Sequence, residues 1–138
     1  MTISAVASPA RDLLTKKIVF FGGKGGVGKT TAAASFAAAA ANTHRQCLIV
    51  STDPAHSLSD IFDVKIKDTE TRLAANLTAL EIDPDNAART HIATVKEHMK
   101  SLVHPRLYGE IDRQLDLARH TPGATEAALL EQVADAMA

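Results

Sequence analysis

The run Gly22-Gly23-Lys24-Gly25-Gly26-Val27-Gly28-Lys29-Thr30-Thr31 constrains this chain more than any other stretch. It satisfies the pattern G-x-x-x-x-G-K-[ST], with Gly23 and Gly28 as the fixed glycines and Lys29 and Thr30 after them. Glycines let a backbone curl so that successive N–H groups face one anion. A helix beginning where the glycines stop turns its positive end to the same anion. The surroundings suit this reading: residues 17–21 form a short apolar run expected as a buried strand, and residues 29–41 are expected as a helix. Gly23, Gly25 and Gly28 also satisfy G-x-G-x-x-G, the dinucleotide fingerprint. That pattern gives no role to the Lys-Thr pair that follows, whereas a triphosphate with Mg2+ uses both: Lys29 reaches the β and γ phosphates, and the Thr30 hydroxyl holds the metal. The triphosphate reading is therefore taken.

The rest of the sequence narrows the setting. The chain is one domain at most, and 46% hydrophobic with 22% charged residues is ordinary globular composition. A net charge of −1 leaves no broad electrostatic footprint for nucleic acid. The single cysteine, Cys47, excludes an internal disulfide and is expected as a small core residue of a strand. No apolar run approaches the ~20 residues of a membrane span, and residues 1–16 hold no apolar core of signal-peptide type. Cytoplasm is the default compartment. Residues 1–15 read as a loose leader.

After the glycine run comes an alanine-rich helix, then residues 47–51 as a second strand. This strand opens into Thr52-Asp53-Pro54-Ala55-His56-Ser57, a polar turn beside the phosphate loop, where ligands sit in open α/β sheets. Residues 58–62 suggest a brief helical turn, residues 63–72 a charged surface excursion, and residues 76–82 a third strand stopped by Asp83-Pro84. Apolar residues recur at helical spacing from Ala88 to Leu102, from Leu107 to Ala118, and from Ala127 to Met137. Thr121-Pro122 is expected to cap the last helix. Glu81 and Asp83 read as strand-edge and turn residues, and His91, His98, His104 and His120 share no ligand spacing. His56 reads equally well as a switch residue or as a polar loop residue without duty.

Two of these runs together resemble a known group. The loop from Gly22 to Thr31, with a lysine early in it, resembles the deviant phosphate loop of the MinD, ParA and nitrogenase-iron-protein class. Ser51-Thr52-Asp53-Pro54-Ala55-His56-Ser57-Leu58-Ser59-Asp60 resembles the first switch of the arsenite-pump (ArsA) and tail-anchored-protein-targeting ATPase family, and the segment from Asn76 to Pro84 resembles its third-strand region. The resemblance implies an α/β phosphate-loop NTPase fold of the SIMIBI/MinD-like class, with a parallel sheet flanked by helices, here incomplete. It implies that residues 16–138 are the N-terminal part of an ATPase domain, truncated before the second switch.

It further implies ATP and Mg2+ as ligands, bound by Gly23, Lys24, Gly25, Gly26, Val27, Gly28, Lys29, Thr30 and Thr31, with Thr30 on the metal. Lys24 would reach the partner's nucleotide in a homodimer, as an arginine finger does. Asp53 would orient or deprotonate the attacking water, so that Asp53, Lys24 and Lys29 form the catalytic set. Pro54 to Ser57 would move with nucleotide state. The implied partners are a membrane pump subunit or a membrane-protein client, and the implied task is anion (arsenite) efflux or membrane-protein targeting. Where metalloid-responsive relatives carry a cysteine, Thr121 to Glu126 has none, so the resemblance does not extend to arsenite activation through thiols. Two other readings stand beside the enzyme: a targeting chaperone whose main work is client binding, favoured by an apolar groove over residues 92–137, and a non-catalytic remnant.

Overall fold

The computed structural model describes residues 9–53, 58–121 and 123–138. In chain order its elements are α1 (Pro9–Leu13), α2 (Lys29–Ala41), β1 (Cys47–Ser51), α3 (Leu58–Phe62), β2 (Thr71–Ala74), β3 (Leu77–Glu81), α4 (Pro84–Leu102), α5 (Tyr108–Ala118) and α6 (Ala124–Met137), with a 3-10 turn at Pro105–Leu107. The three strands form one sheet in the order β1-β3-β2. β1 and β3 run parallel from Cys47 opposite Leu77 to Ser51 opposite Glu81. β2 is antiparallel to β3, with an irregularity between Arg72 and Ala74.

Side chains alternate across the sheet as strand geometry requires. Ile49, Leu77 and Ala79 face one way and pack with Ala34, Ala37 and Ala41 of α2, with Leu58 of α3 and with Ile66. The alanines let α2 lie close on the sheet, and Leu58 is completely buried beneath it. Leu80 and Ile82 face the other way, onto Ala87 and Ala88 of α4 and Ala128 of α6, with Leu48 and Val50 of β1 beside them. The result is helix, sheet, helix in three layers. α5 lies outside the sheet and is fastened to α4 by ion pairs, Lys96 to Asp116 at 2.7 Å and Lys100 to Asp112 at 2.7 Å.

The α/β architecture, with helices on both faces of the sheet, matches expectation, as do β1 and α3, which span the expected residues. Four local features differ. Residues 17–21 belong to no ladder among the described residues, with Ile18 52% and Phe20 81% exposed. An apolar run becomes a strand only when a neighbour takes its backbone groups, and β1 gives one of its edges to β3. Instead Phe21 packs on Phe36 of α2, ring centroids 5.7 Å apart, which ties the approach to the glycine loop to the helix that leaves it. Second, the supposed surface excursion ends in β2, so the sheet is mixed, not wholly parallel. Third, the stretch expected as a loose leader contains α1, and the Arg45 guanidinium donates to the carbonyls of Leu14 and Lys16. Fourth, Gly123, not Thr121, stands at the start of α6, at φ 90°, while the Thr121 hydroxyl donates to the Ala118 carbonyl at 2.7 Å. Pro122, the other half of that expected cap, lies outside the described residues.

Candidate nucleotide-binding site

The glycine loop joins the unpaired segment to α2. Gly26 and Gly28 both take positive φ, 76° and 82°, a conformation open to glycine but costly to residues with a Cβ. Gly28 occupies the N-cap position of α2, and no side chain caps the helix there. The first helical hydrogen bond is donated by Ala32 to the Gly28 carbonyl at 2.9 Å, so the amides of Lys29, Thr30 and Thr31 have no partner within the helix and belong to its positive end. No acidic residue lies in the first turn to neutralise it. A Cβ built at Gly25, Gly26 or Gly28 would meet nothing within 4 Å, whereas one at Gly23 would come within 3.2 Å of Val27 Cγ2. Gly25, Gly26 and Gly28 line open space, and a Cβ at Gly23 would require the exposed Val27 side chain to give by a few tenths of an ångström.

Lys29 is the hub. Its ammonium donates to the Lys24 carbonyl at 3.2 Å and stands 3.6 Å from an Asp53 carboxylate oxygen. The structure thus brings the expected residues Lys29 and Asp53 together from segments 24 residues apart, one opening α2 and the other just beyond β1. Asp53 is held in turn by its own amide, which donates to the Ser51 hydroxyl at 3.4 Å. Thr30 is half-buried next to Lys29; Thr31 is exposed, and its carbonyl accepts from Ser35 Oγ at 2.9 Å. Val27 projects outward, 66% exposed. The Lys24 side chain is exposed on the rim of the loop. Pro54, Ala55, His56 and Ser57, the expected moving segment, lie outside the described residues.

Beside Asp53, at the carboxyl ends of β1 and β3, opens a cleft of about 480 Å³ lined by Ser51, Lys67, Glu81 and Arg89 among others. A larger groove of about 630 Å³, between the start of α4 and the turn into α6, carries charges of both signs and touches no residue of the glycine loop.

Comparison with known proteins agrees with this geometry. The model of the anion-transporting ATPase family (ArsA ATPase) matches residues 16–138. The chain belongs to the ArsA ATPase family. A protein of Aquifex aeolicus provisionally named arsenical pump-driving ATPase 2 is 36% identical over 115 residues, 83% of this chain and 38% of that protein. The ATPase GET3 of Phaeosphaeria nodorum is 39% identical over 128 residues, 91% of this chain and 39% of the relative. An ATPase ASNA1 homolog of Paramecium tetraurelia is 40% identical over 116 residues, covering 82% and 33%. This ArsA-family chain therefore spans well under half the length of these relatives.

An ArsA-family ATPase uses a nucleotide, and the residues here suit one. An open glycine cradle, three amides at a helix start and a lysine match the charge and shape of a polyphosphate. The Thr30 hydroxyl and the Asp53 carboxylate are hard oxygen donors of the kind Mg2+ accepts. Among the described residues no group of three His, Cys, Asp or Glu could hold a metal ion.

Sequence reasoning overlooked two residues. Ser51 gave no signal beyond being a strand end. Glu81 was read as a strand-edge residue, yet its carboxylate accepts from the Leu58 amide and from the Ser59 hydroxyl, the latter at 2.8 Å. No local pattern announces a cap that reaches across 22 residues.

Proposed function

We propose that the glycine loop, Lys29, Thr30 and Asp53 form a Mg-ATP site, and that the protein hydrolyses ATP as a homodimer whose rearrangement drives a membrane partner. The observation carrying this reading is the position of the Lys29 ammonium at the start of α2, between the Lys24 carbonyl and the Asp53 carboxylate. On the proposal, residues 23–31 wrap the triphosphate with backbone amides, and Lys29 exchanges its two protein partners for phosphate oxygens. The Thr30 hydroxyl holds Mg2+, which when bound neutralises charge on the phosphates. Asp53 then accepts a hydrogen bond from the attacking water and sets it in line with the bond that breaks. Lys24, exposed on the rim, stabilises the charge developing at the partner's nucleotide, a role in which a cation can be worth about 10³–10⁵ in rate.

The resemblance of residues 51–60 to the arsenite-pump and tail-anchored-protein-targeting family supports the membrane partner, as does the name of one relative, arsenical pump-driving. A pump subunit or a membrane-protein client is the proposed load. The protein itself is proposed to work in the cytoplasm; no helix among the described residues is long and apolar enough to cross a membrane. A second reading, a chaperone that chiefly binds clients, draws on Leu102, Leu117 and Leu130, which leave 72%, 63% and 70% of their surface exposed on α4, α5 and α6.

The test is phosphate release by the full-length protein at several protein concentrations. The expected result is a rate per chain that climbs with concentration and a Lys24→Ala variant that stays low at every concentration. A rate per chain independent of concentration and of Lys24 would remove the lysine from the partner's site.

A further inference from the structure

We propose that the amino-terminal end of the sheet is a docking face for an anionic lipid surface, with the nucleotide site at the sheet's other end. This inference goes beyond the ATPase reading and does not rest on it.

The net charge of −1 conceals a division of the chain. Residues 1–50 hold six Lys or Arg and one Asp or Glu, whereas residues 51–138 hold nine and fifteen. Two of the six, Lys24 and Lys29, belong to the glycine loop, where Lys29 meets Asp53 beyond the carboxyl end of β1. The other four, Arg11, Lys16, Lys17 and Arg45, gather at the opposite end. Arg45 stands two residues before β1, and its guanidinium donates to the carbonyls of Leu14 and Lys16. That brace brings α1 and the turn after it to the point where the sheet begins. Arg72 joins them from β2, donating to the carbonyls of Ala74 at 3.3 Å and Ala75 at 3.1 Å. The same turn leads into Asn76, whose side chain accepts from Gln46 at 3.0 Å and donates to the Ala41 carbonyl at 3.2 Å.

All five residues are exposed, and among the described residues none of them forms an ion pair. The carbonyls that Arg45 and Arg72 engage leave their charge uncompensated. Neither cleft described above is lined by any of the five, so they form a face and not a pocket for a small anion. Leu13 is exposed between Arg11 and Lys16. An apolar side chain set among basic ones suits the headgroup layer of a bilayer. Long side chains spread over a helix, a turn and a strand offer an acidic protein no fixed geometry, whereas a lipid surface requires none. Each Lys or Arg near anionic headgroups contributes about fivefold in affinity. β1, five residues long at about 3.3 Å each, separates this face from Asp53, so lipid and nucleotide can be held together.

The test is co-sedimentation of the full-length protein, without nucleotide, with vesicles of phosphatidylcholine alone and with vesicles in which about a third of the lipid is phosphatidylserine. The wild type is expected to bind only the second kind and to be released as salt is raised from about 0.05 to about 0.5 M. Arg11→Gln/Lys16→Gln/Lys17→Gln should lose about a hundredfold in affinity with its melting temperature unchanged. Arg45 and Arg72 are kept, because they also brace backbone. Lys65→Gln/Arg106→Gln/Arg113→Gln removes as many exposed charges elsewhere and should bind within about threefold of the wild type. If the first triple variant loses its cooperative melt, its three single substitutions carry the test, each expected to cost about fivefold. Equal losses in the two triple variants would overturn the proposal, as would binding indifferent to phosphatidylserine. A wild type that ignores both vesicles yet binds an acidic protein would overturn it too. A protein that binds the anionic vesicles but releases no phosphate from ATP would refute the ATPase reading and leave this face standing.

Discussion

Replacing Asp53 by Asn should separate nucleotide binding from turnover, in opposite directions. In the structure the Asp53 carboxylate lies 3.6 Å from the Lys29 ammonium, with the two side chains 30% and 20% exposed. Any phosphate that takes Lys29 must first displace that contact. At this distance the attraction is about 1 kcal/mol in a water-like dielectric, and measured values for accessible pairs run about 0.2–1 kcal/mol. Removing the competitor should therefore tighten Mg-free ATP binding by about 1.4- to 5-fold, and the loss of a negative charge beside the triphosphate acts in the same direction. Turnover should fall by about 10²–10⁴, the usual contribution of a group that positions or deprotonates the nucleophile. The assay is calorimetric titration of ATP in the presence of a chelator, paired with steady-state phosphate release in Mg2+. Weaker Mg-free binding in Asp53→Asn would show that the carboxylate does not compete for Lys29. Turnover within twofold of the wild type would remove Asp53 from the chemistry.

Three further outcomes follow from the same structure. Leu58→Ala empties a completely buried position beneath α2 and should destabilise the fold by about 3–5 kcal/mol, read from urea denaturation; a loss under 1 kcal/mol would mean that this core cluster is not formed. Gly28→Ala forces a Cβ into φ 82° at the N-cap of α2, a strain of about 1–2 kcal/mol, and should weaken ATP binding as well as stability; unchanged binding would place the phosphates elsewhere. Asp116 is held below its ordinary carboxylate range first by its hydrogen bond from Lys96, with Lys96, Arg119 and His120 adding charge. A carboxylate with a lowered folded pKa stabilises at neutral pH and loses that contribution as pH falls through the folded value. The melting temperatures of wild type and Asp116→Asn should therefore differ by a constant amount above about pH 5 and converge in stronger acid; a gap that widened on acidification would refute the assignment.

Much of the candidate site's local geometry was legible because its signals are local. Gly26, Gly28, Lys29 and Thr30 lie within five residues, and their glycine conformations and helix start are consequences of composition over that span. β1 was legible from Cys47 to Ser51 because a short β-branched run between polar turns has few alternatives; Asp83-Pro84 was read only as the stop of the third strand, whereas Asp83 also caps α4, its carboxylate accepting from the Asn86 amide at 2.8 Å. The failures have the opposite character. Residues 17–21 carry the apolar signature of a strand, but a ladder is a property of two segments, and no described strand supplies the second. β2 reads Thr-Arg-Leu-Ala, a weak pattern that becomes a strand only through its antiparallel pairing with β3. The Glu81 cap joins residues 22 and 23 positions apart, and the Lys29–Asp53 pair 24. The nearness of Asp53 to the glycine loop was expected, because it follows the carboxyl end of a strand, whereas Glu81 had no such rule behind it.

The central claim is that residues 23–31 hold a nucleotide triphosphate through Lys29. Calorimetric titration of Mg-ATP into the purified chain and into its Lys29→Ala variant tests it most directly. The account predicts saturable binding at one site per chain in the wild type, with a raised melting temperature, and at least a tenfold loss of affinity in the variant, which is about 1.4 kcal/mol. A wild-type chain that melts cooperatively yet binds no Mg-ATP, or a variant that binds as tightly as the wild type, would contradict it.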